Sequence, residues 1–203
     1  MTSSEKVTAR EAKRLATRER LFAAAVAELK RSGVAAADVG AIVAEAGVAH
    51  GTFFFHFPTK EHALAELGHR EEVRMTAELD RFLAEAPALR ATLREVVRMS
   101  GTVERRLGTV LFRDLLGLYF APTRPELQLW PDHPLIARVV AEFERARDRG
   151  ELRPDPGVDP TSAAVFFLMG YFALQVTYER SADRDRMLEQ NIDVLLRGLG
   201  EAR

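Results

Sequence analysis

The chain has 203 residues and no cysteine, which excludes disulfides, thiolate metal sites and cysteine nucleophiles. Hydrophobic residues make up 47% and charged residues 29%, a globular balance that argues against a disordered chain. The net charge of −1 hides an asymmetry: residues 1–31 hold eight basic and four acidic side chains, net +4, leaving −5 for the rest. Such a split suits a nucleic-acid-binding end on a regulatory body, and it equally suits a solvated helix face. Residues 1–6 lack the apolar core of a signal peptide, so a cytosolic protein is expected.

Helical periodicity dominates and strand-type alternation is missing, so the expected fold is all-α, with about nine helices. Thr8 and Glu11 fit a capping box, and a first helix follows with Leu15, Leu21, Phe22, Ala25, Val26 and Leu29 on its apolar stripe. It is expected to stop at Ser32-Gly33. Asp38 caps a second, short helix bearing Val39, Ile42, Val43 and Ala46, which stops at Gly47. A third runs from about Ala49 to Phe55 and is ended by Pro58. Thr59 opens a long fourth helix that carries Leu64, Leu67, Met75, Leu79, Phe82 and Leu83 toward Pro87.

Two short helices across a Gly-containing turn have the geometry of a helix-turn-helix, whose second helix enters a DNA major groove. Ala44 and Gly47 are expected to keep the helix crossing tight, with Ile42 and Val48 as its small core. The free N–H groups at Thr59 and Lys60 favour a phosphate. The stretch Ala46-Gly47-Val48-Ala49, Gly51-Thr52-Phe53-Phe54-Phe55-His56-Phe57, Pro58-Thr59-Lys60-Glu61 resembles the signature of the tetracycline-repressor (TetR) family of transcriptional regulators.

The resemblance implies a DNA-binding set of Ala49, His50, Gly51, Thr52, Phe55, His56 and Lys60. His50 and Thr52 would face bases or phosphates, and Phe55 would occupy the variable base-reading position. His56 and Lys60 would meet phosphates, and Phe57 would be core. Two residues depart from the pattern. Phe54 replaces a tyrosine whose hydroxyl contacts phosphate, and Ala49 replaces a Ser or Thr cap. The resemblance also implies double-stranded operator DNA as partner, a homodimer, and release by a small molecule. The expected division is residues 1–60 for DNA binding and residues 61–203 for ligand binding and dimerisation.

Beyond the motif, helices are expected near residues 88–106, 108–120, 134–149, 160–180 and 184–199, with Asp159-Pro160 a strong start signal. The uncharged stretch Thr161–Tyr178 is short for a membrane span and is expected to be buried on all sides, so no membrane partner is expected. An apolar or aromatic ligand is expected among Phe112, Arg113, Tyr119, Trp130, Phe166, Met169 and Gln175, because few buried charges are evident. Phe167, Tyr171, Leu174 and Tyr178, with Ile192, Leu195, Leu196 and Leu199, are expected to form the dimer interface.

His62, Glu66 and His69 share one helix face at ligand spacing, but a second such motif is missing, and a solvated face with no metal is expected. His133 reads as local structure before Pro134, and Glu142 as surface. There is no Gly-rich phosphate loop and no Ser with a base partner, so neither a cofactor nor an enzyme activity is expected. The alternatives left open are an activator or ligand-independent regulator, and a helical small-molecule or metal-binding bundle without DNA function.

Overall fold

The structure is a computed structural model that describes residues 8–120, 133–153 and 157–200. The described residues form nine helices and no strand: α1 (Ala9–Ala36), α2 (Val39–Ala46), α3 (His50–His56), α4 (Lys60–Leu83), α5 (Leu89–Leu107), α6 (Thr109–Phe120), α7 (Pro134–Asp148), α8 (Pro160–Thr177) and α9 (Ala182–Gly198). The chain divides into two compact units, with the division between Leu67 and Gly68, inside α4.

In the first unit the local signals act as their chemistry dictates. The Thr8 side chain accepts from the Glu11 N–H and starts α1. Helical geometry fails at Gly33, whose φ of 72° and ψ of 168° are open essentially to glycine alone. The chain turns there and Asp38 caps α2, accepting from the N–H groups of Gly40 at 2.8 Å and Ala41 at 3.3 Å. Gly47 ends α2 in the left-handed region, with φ 64° and ψ 43°. A Cβ at Gly47 would meet nothing within 4 Å, and Ala44 is exposed. The expected tight crossing at these two residues is therefore corrected: Gly47 is required by backbone conformation, not by close packing.

Glu28 secures the turn. Its buried carboxylate accepts from the Asp38 N–H at 3.1 Å and the Ser32 hydroxyl at 3.0 Å, and it pairs with Arg31. The Asp38 N–H is the main cause that holds its carboxyl below the usual range, with Ser32 and Arg31 adding to it and burial opposing.

The second unit packs α5, α7, α8 and α9 around one core, in which Leu93, Val96, Val139, Phe143, Ala164, Phe167, Ile192 and Leu196 are all at most 1% exposed. Asp159 caps α8 by accepting from the Ser162 N–H at 2.9 Å, with Pro160 in the first turn. Glu104 on α5 and Arg184 on α9 form a fully buried ion pair with contacts of 3.0 and 2.5 Å.

Two expectations are corrected here. Glu142 is 2% exposed and bound to Arg145, so it is not a surface carboxylate. α8 is apolar enough to span a membrane by length and composition, yet it is not buried on all sides. Phe167, Leu168 and Tyr171 face the core, while Phe166 is 57% and Val176 37% exposed.

Glu28→Gln is expected to lower the stability of the first unit by about 1 kcal/mol at pH 7, the scale of a weakened charge-assisted hydrogen bond. A carboxyl held low in the folded state stabilises above its unfolded value and loses that contribution as pH falls through the folded one. Thermal melts of wild type and variant should therefore converge in acid; an equal gap at pH 7 and pH 3 would refute the assignment.

Candidate nucleic-acid interface and ligand cavity

α3 is anchored by its own Phe53 and by Phe57, the residue that ends it, and displays two other aromatic residues. Phe53 and Phe57 are 0% and 2% exposed, their ring centroids lie 5.8 Å apart, and Phe57 lies 6.3 Å from Phe22 of α1. One helical step from Phe53, Phe54 is 46% exposed, and Phe55 at 74% is the most exposed large apolar side chain among the described residues. His50 and Gly51 are exposed and Thr52 is half-buried. The His50 ring lies 5.4 Å from Phe54. Ala49 starts α3 without a side-chain cap, so the departure seen in the sequence is a missing hydrogen bond.

The cations around α3 fall into two groups. Arg10, Lys13 and Arg14, in the first turns of α1, are exposed. Thr8, Arg10, Glu11, Arg14 and Phe55 together line an open groove. Arg18 is committed to structure: its guanidinium lies 5.0 Å over the Phe57 ring and binds Glu66 at 3.0 and 3.3 Å. The pKa of His56 is held below its ordinary value, first by burial and then by Arg14 and Arg18. These causes favour the neutral ring, which offers an N–H rather than a charge.

Lys60 is placed differently from the expectation. Its ammonium donates to the carbonyl oxygens of Ala35 at 3.2 Å and Ala37 at 3.0 Å, closing the end of α1. Helix-terminal carbonyls attract a cation by dipole and unmet hydrogen bonds, and they engage this one. The sequence pattern gave no sign of this, because the contact spans 25 positions. The candidate metal face is also engaged in other contacts: Glu66 holds Arg18, and His62 shares a hydrogen bond with Thr59 at 3.0 Å. Among the described residues no cluster of three His, Asp or Glu is arranged to hold a metal.

The second unit contains a partly open cavity of about 70 Å³. Met75, Val96, Val103, Leu116, Leu168 and Phe172 supply apolar wall, and Glu71, Glu72, Ser100, His133 and Tyr171 supply polar groups. Glu72 accepts from the Leu135 N–H at 3.3 Å, and its other oxygen lies 2.9 Å from Nδ1 of His133; both side chains are buried. Glu71 is buried against Arg74 and Arg106. Burial raises the pKa of Tyr171, whose hydroxyl is engaged by Ser100 and by the Gln175 amide. The expected scarcity of buried charge is therefore corrected, as is the reading of His133 as merely local.

None of the described residues nominated for the ligand lines this cavity. Phe112 is buried in packing, Arg113 and Met169 are half-buried, and Phe166 is exposed. Gln175 is buried on the Tyr171 hydroxyl, and one step removed from the cavity. Trp130 and the side chain of Tyr119 lie outside the described residues. The nominated interface is largely internal: Phe167, Tyr171, Ile192, Leu196 and Leu199 are at most 3% exposed within their own chain. Leu174 and Leu195 are half-buried and Tyr178 is exposed. The outward stripe is instead Phe166, Met169, Ala173 and Val176 on α8, with Val194, 72% exposed, on α9. The two faces of α8 are almost equally apolar, so periodicity did not distinguish the inward face from the outward one.

Residues 21–67 match the family model described as bacterial regulatory proteins, tetR family. The whole chain resembles several solved structures. FadR of Thermus thermophilus, a TetR family transcriptional repressor solved in complex with lauroyl-CoA, is 25% identical over 92% of this chain and 96% of that one, with a TM-score of 0.71. RolR, solved with its ligand resorcinol, is 20% identical over 94% of this chain and 90% of that one, with a TM-score of 0.64. The fatty acid degradation regulator FadR from Bacillus halodurans is 19% identical over 91% and 99%, with a TM-score of 0.64. A comparison with curated protein sequences finds no match.

Lys60→Met is expected to destabilise the first unit by about 1 kcal/mol, because the carbonyls of Ala35 and Ala37 lose a charged donor. A lowered melting temperature with an unchanged salt slope of DNA binding fits this role. An unchanged melt with a slope reduced by about 0.9 per subunit would mean that Lys60 meets phosphate after all.

Proposed function

We propose that this chain is a regulator of the tetR family, a cytoplasmic repressor that holds a palindromic operator as a homodimer and is released by a small molecule. The carrying observation is α3, which is held by the buried Phe53 and Phe57 and displays Phe55 in a groove shared with the exposed Arg10 and Arg14. Phosphate contacts from those cations position the protein, while the outward side chains of α3 meet base edges. This reading treats the chain as a transcription factor and not an enzyme, as is general for the family.

The dimer reading is supported by the outward stripe of α8 together with Val194 of α9. A large exposed apolar stripe is costly in water, and a second copy covers it by an isologous contact. Two recognition helices then sit about one DNA turn apart, ~34–36 Å, to enter successive major grooves.

The ligand reading is supported by the cavity. Lauroyl-CoA and resorcinol, bound by two of the similar structures, have little chemistry in common, so the ligand class is argued from the lining. Apolar walls interrupted by Glu72, His133, Ser100 and Tyr171 suit a mostly apolar molecule with a hydrogen-bonding group. The same α4 that provides Glu71 and Glu72 to the cavity begins at Lys60, in the DNA-binding unit. A ligand releases the operator only if it binds the DNA-free conformation better than the DNA-bound one, by the ratio of its two affinities.

A band shift with the DNA upstream of the protein's own gene tests the function; no retarded complex at physiological salt would leave the helical bundle without DNA function as the reading. Phe166→Glu is expected to give monomers in light scattering with an unchanged melt of the monomer fold, since Phe166 is exposed within its own chain. A dimer of normal mass would place the interface elsewhere. In a screen of amphiphiles, compounds that raise the melting temperature should also release DNA, and Glu72→Gln should weaken both effects about tenfold, the scale of one charged hydrogen bond. Compounds that stabilise the protein but leave the complex intact would show a cavity without a switch.

A further inference from the structure

The outward face of α3 has an unusual chemistry for a base reader. Its exposed residues are His50, Gly51, Phe54 and Phe55, with Thr52 half-buried. α3 contains no Arg, Lys, Asn, Gln, Asp or Glu. Those are the side chains that make bidentate bonds to guanine and adenine or accept from cytosine. Without them, two means of discrimination remain in a major groove: single hydrogen bonds from His or Thr, and apolar contact with the C5 methyl group of thymine.

Phe55 points to the second. Its ring has no hydrogen-bonding group, it is 74% exposed, and it shares a groove with Arg10 and Arg14. An apolar ring beside two guanidinium groups matches a surface that pairs methyl groups with anions. Thymine presents that combination, because its methyl projects into the major groove beside the phosphates of its own strand. A purely apolar protein partner would desolvate two arginines against a single carboxylate, Glu11, which lies 4.0 Å from Arg14.

We propose that Phe55 selects the operator by packing on thymine methyl groups, so that sequence is read mainly through apolar contact and not through hydrogen bonds. The proposal rests on the operator-binding reading above. Arg10 and Arg14 hold the flanking phosphates and set the ring's register over the bases. Phe54, half-exposed and in edge contact with Phe53 at 5.4 Å, steadies the helix that carries Phe55.

The probe is a short duplex selected by the intact protein from a random-sequence library. Each thymine of a half-site is replaced in turn by uracil, which removes the methyl and keeps the pairing. At one or two positions per half-site, affinity is expected to fall about fourfold for each methyl lost, as burial of a single carbon predicts. Phe55→Ala should bind the thymine and uracil duplexes equally, while Phe55→Leu should keep part of the difference. Because Phe55 is exposed, its variants should melt like the parent, which separates base reading from folding.

Equal affinity of wild type for thymine and uracil duplexes at every position would overturn the proposal and leave operator binding intact. So would a uracil penalty that persists in Phe55→Ala, or a loss in Phe55→Ala that is the same for every duplex, which would indicate a ring inserted between bases. A library that yields no enriched duplex would overturn the operator-binding reading itself, and the proposal with it.

Discussion

The first unit depends on how one turn is closed. Between Gly33, where α1 loses helical geometry, and Val39, where α2 begins, a few residues must reverse the chain without leaving buried polar groups unmet. Two opposite charges meet that demand. Glu28 takes the Asp38 N–H and the Ser32 hydroxyl, and Lys60 takes the carbonyls of Ala35 and Ala37. One charged group thus satisfies donors and the other acceptors. The direction in which α2 leaves is set there, and α3 packs on α2.

α3 inherits that direction and adds a division of its own. It holds seven residues, too few to be stable as an isolated helix. Burial of Phe53, and of Phe57 four positions on at the C-terminal cap, supplies the missing stability. The same spacing forces Phe54 and Phe55 outward. Three consecutive phenylalanines therefore have different fates, and only helical geometry tells them apart. The most exposed of the three, Phe55, has no group that can bond with solvent.

Signals of short range were legible in the sequence. Thr8, Asp38 and Asp159 each cap the helix expected of them, and Gly33 and Gly47 mark the breaks. These act within a few residues, so a linear reading suffices. Signals of long range were not. Lys60 finds its carbonyls 25 and 23 positions away, and His133 finds Glu72 across 61. The side of α8 that turns inward was equally hidden, because Phe166 and Phe167 are the same residue type on opposite faces. Only the neighbours in space decide between them, which is why the sequence alone does not show that Phe166 faces out of the chain while Phe167 and Tyr171 face its core.

The pair formed by Glu104 and Arg184 has a consequence for ancestry. Both residues are at most 2% exposed, and they join helices through positions 80 apart in the chain. Losing either partner strands a charge in the core, at a cost of about 3–5 kcal/mol, whereas exchanging both for apolar residues is often neutral. A lineage that changes one of them by single steps passes through a poorly folded protein. Descendants of this sequence should therefore retain both residues or have neither, so that two distant codons are inherited as one character.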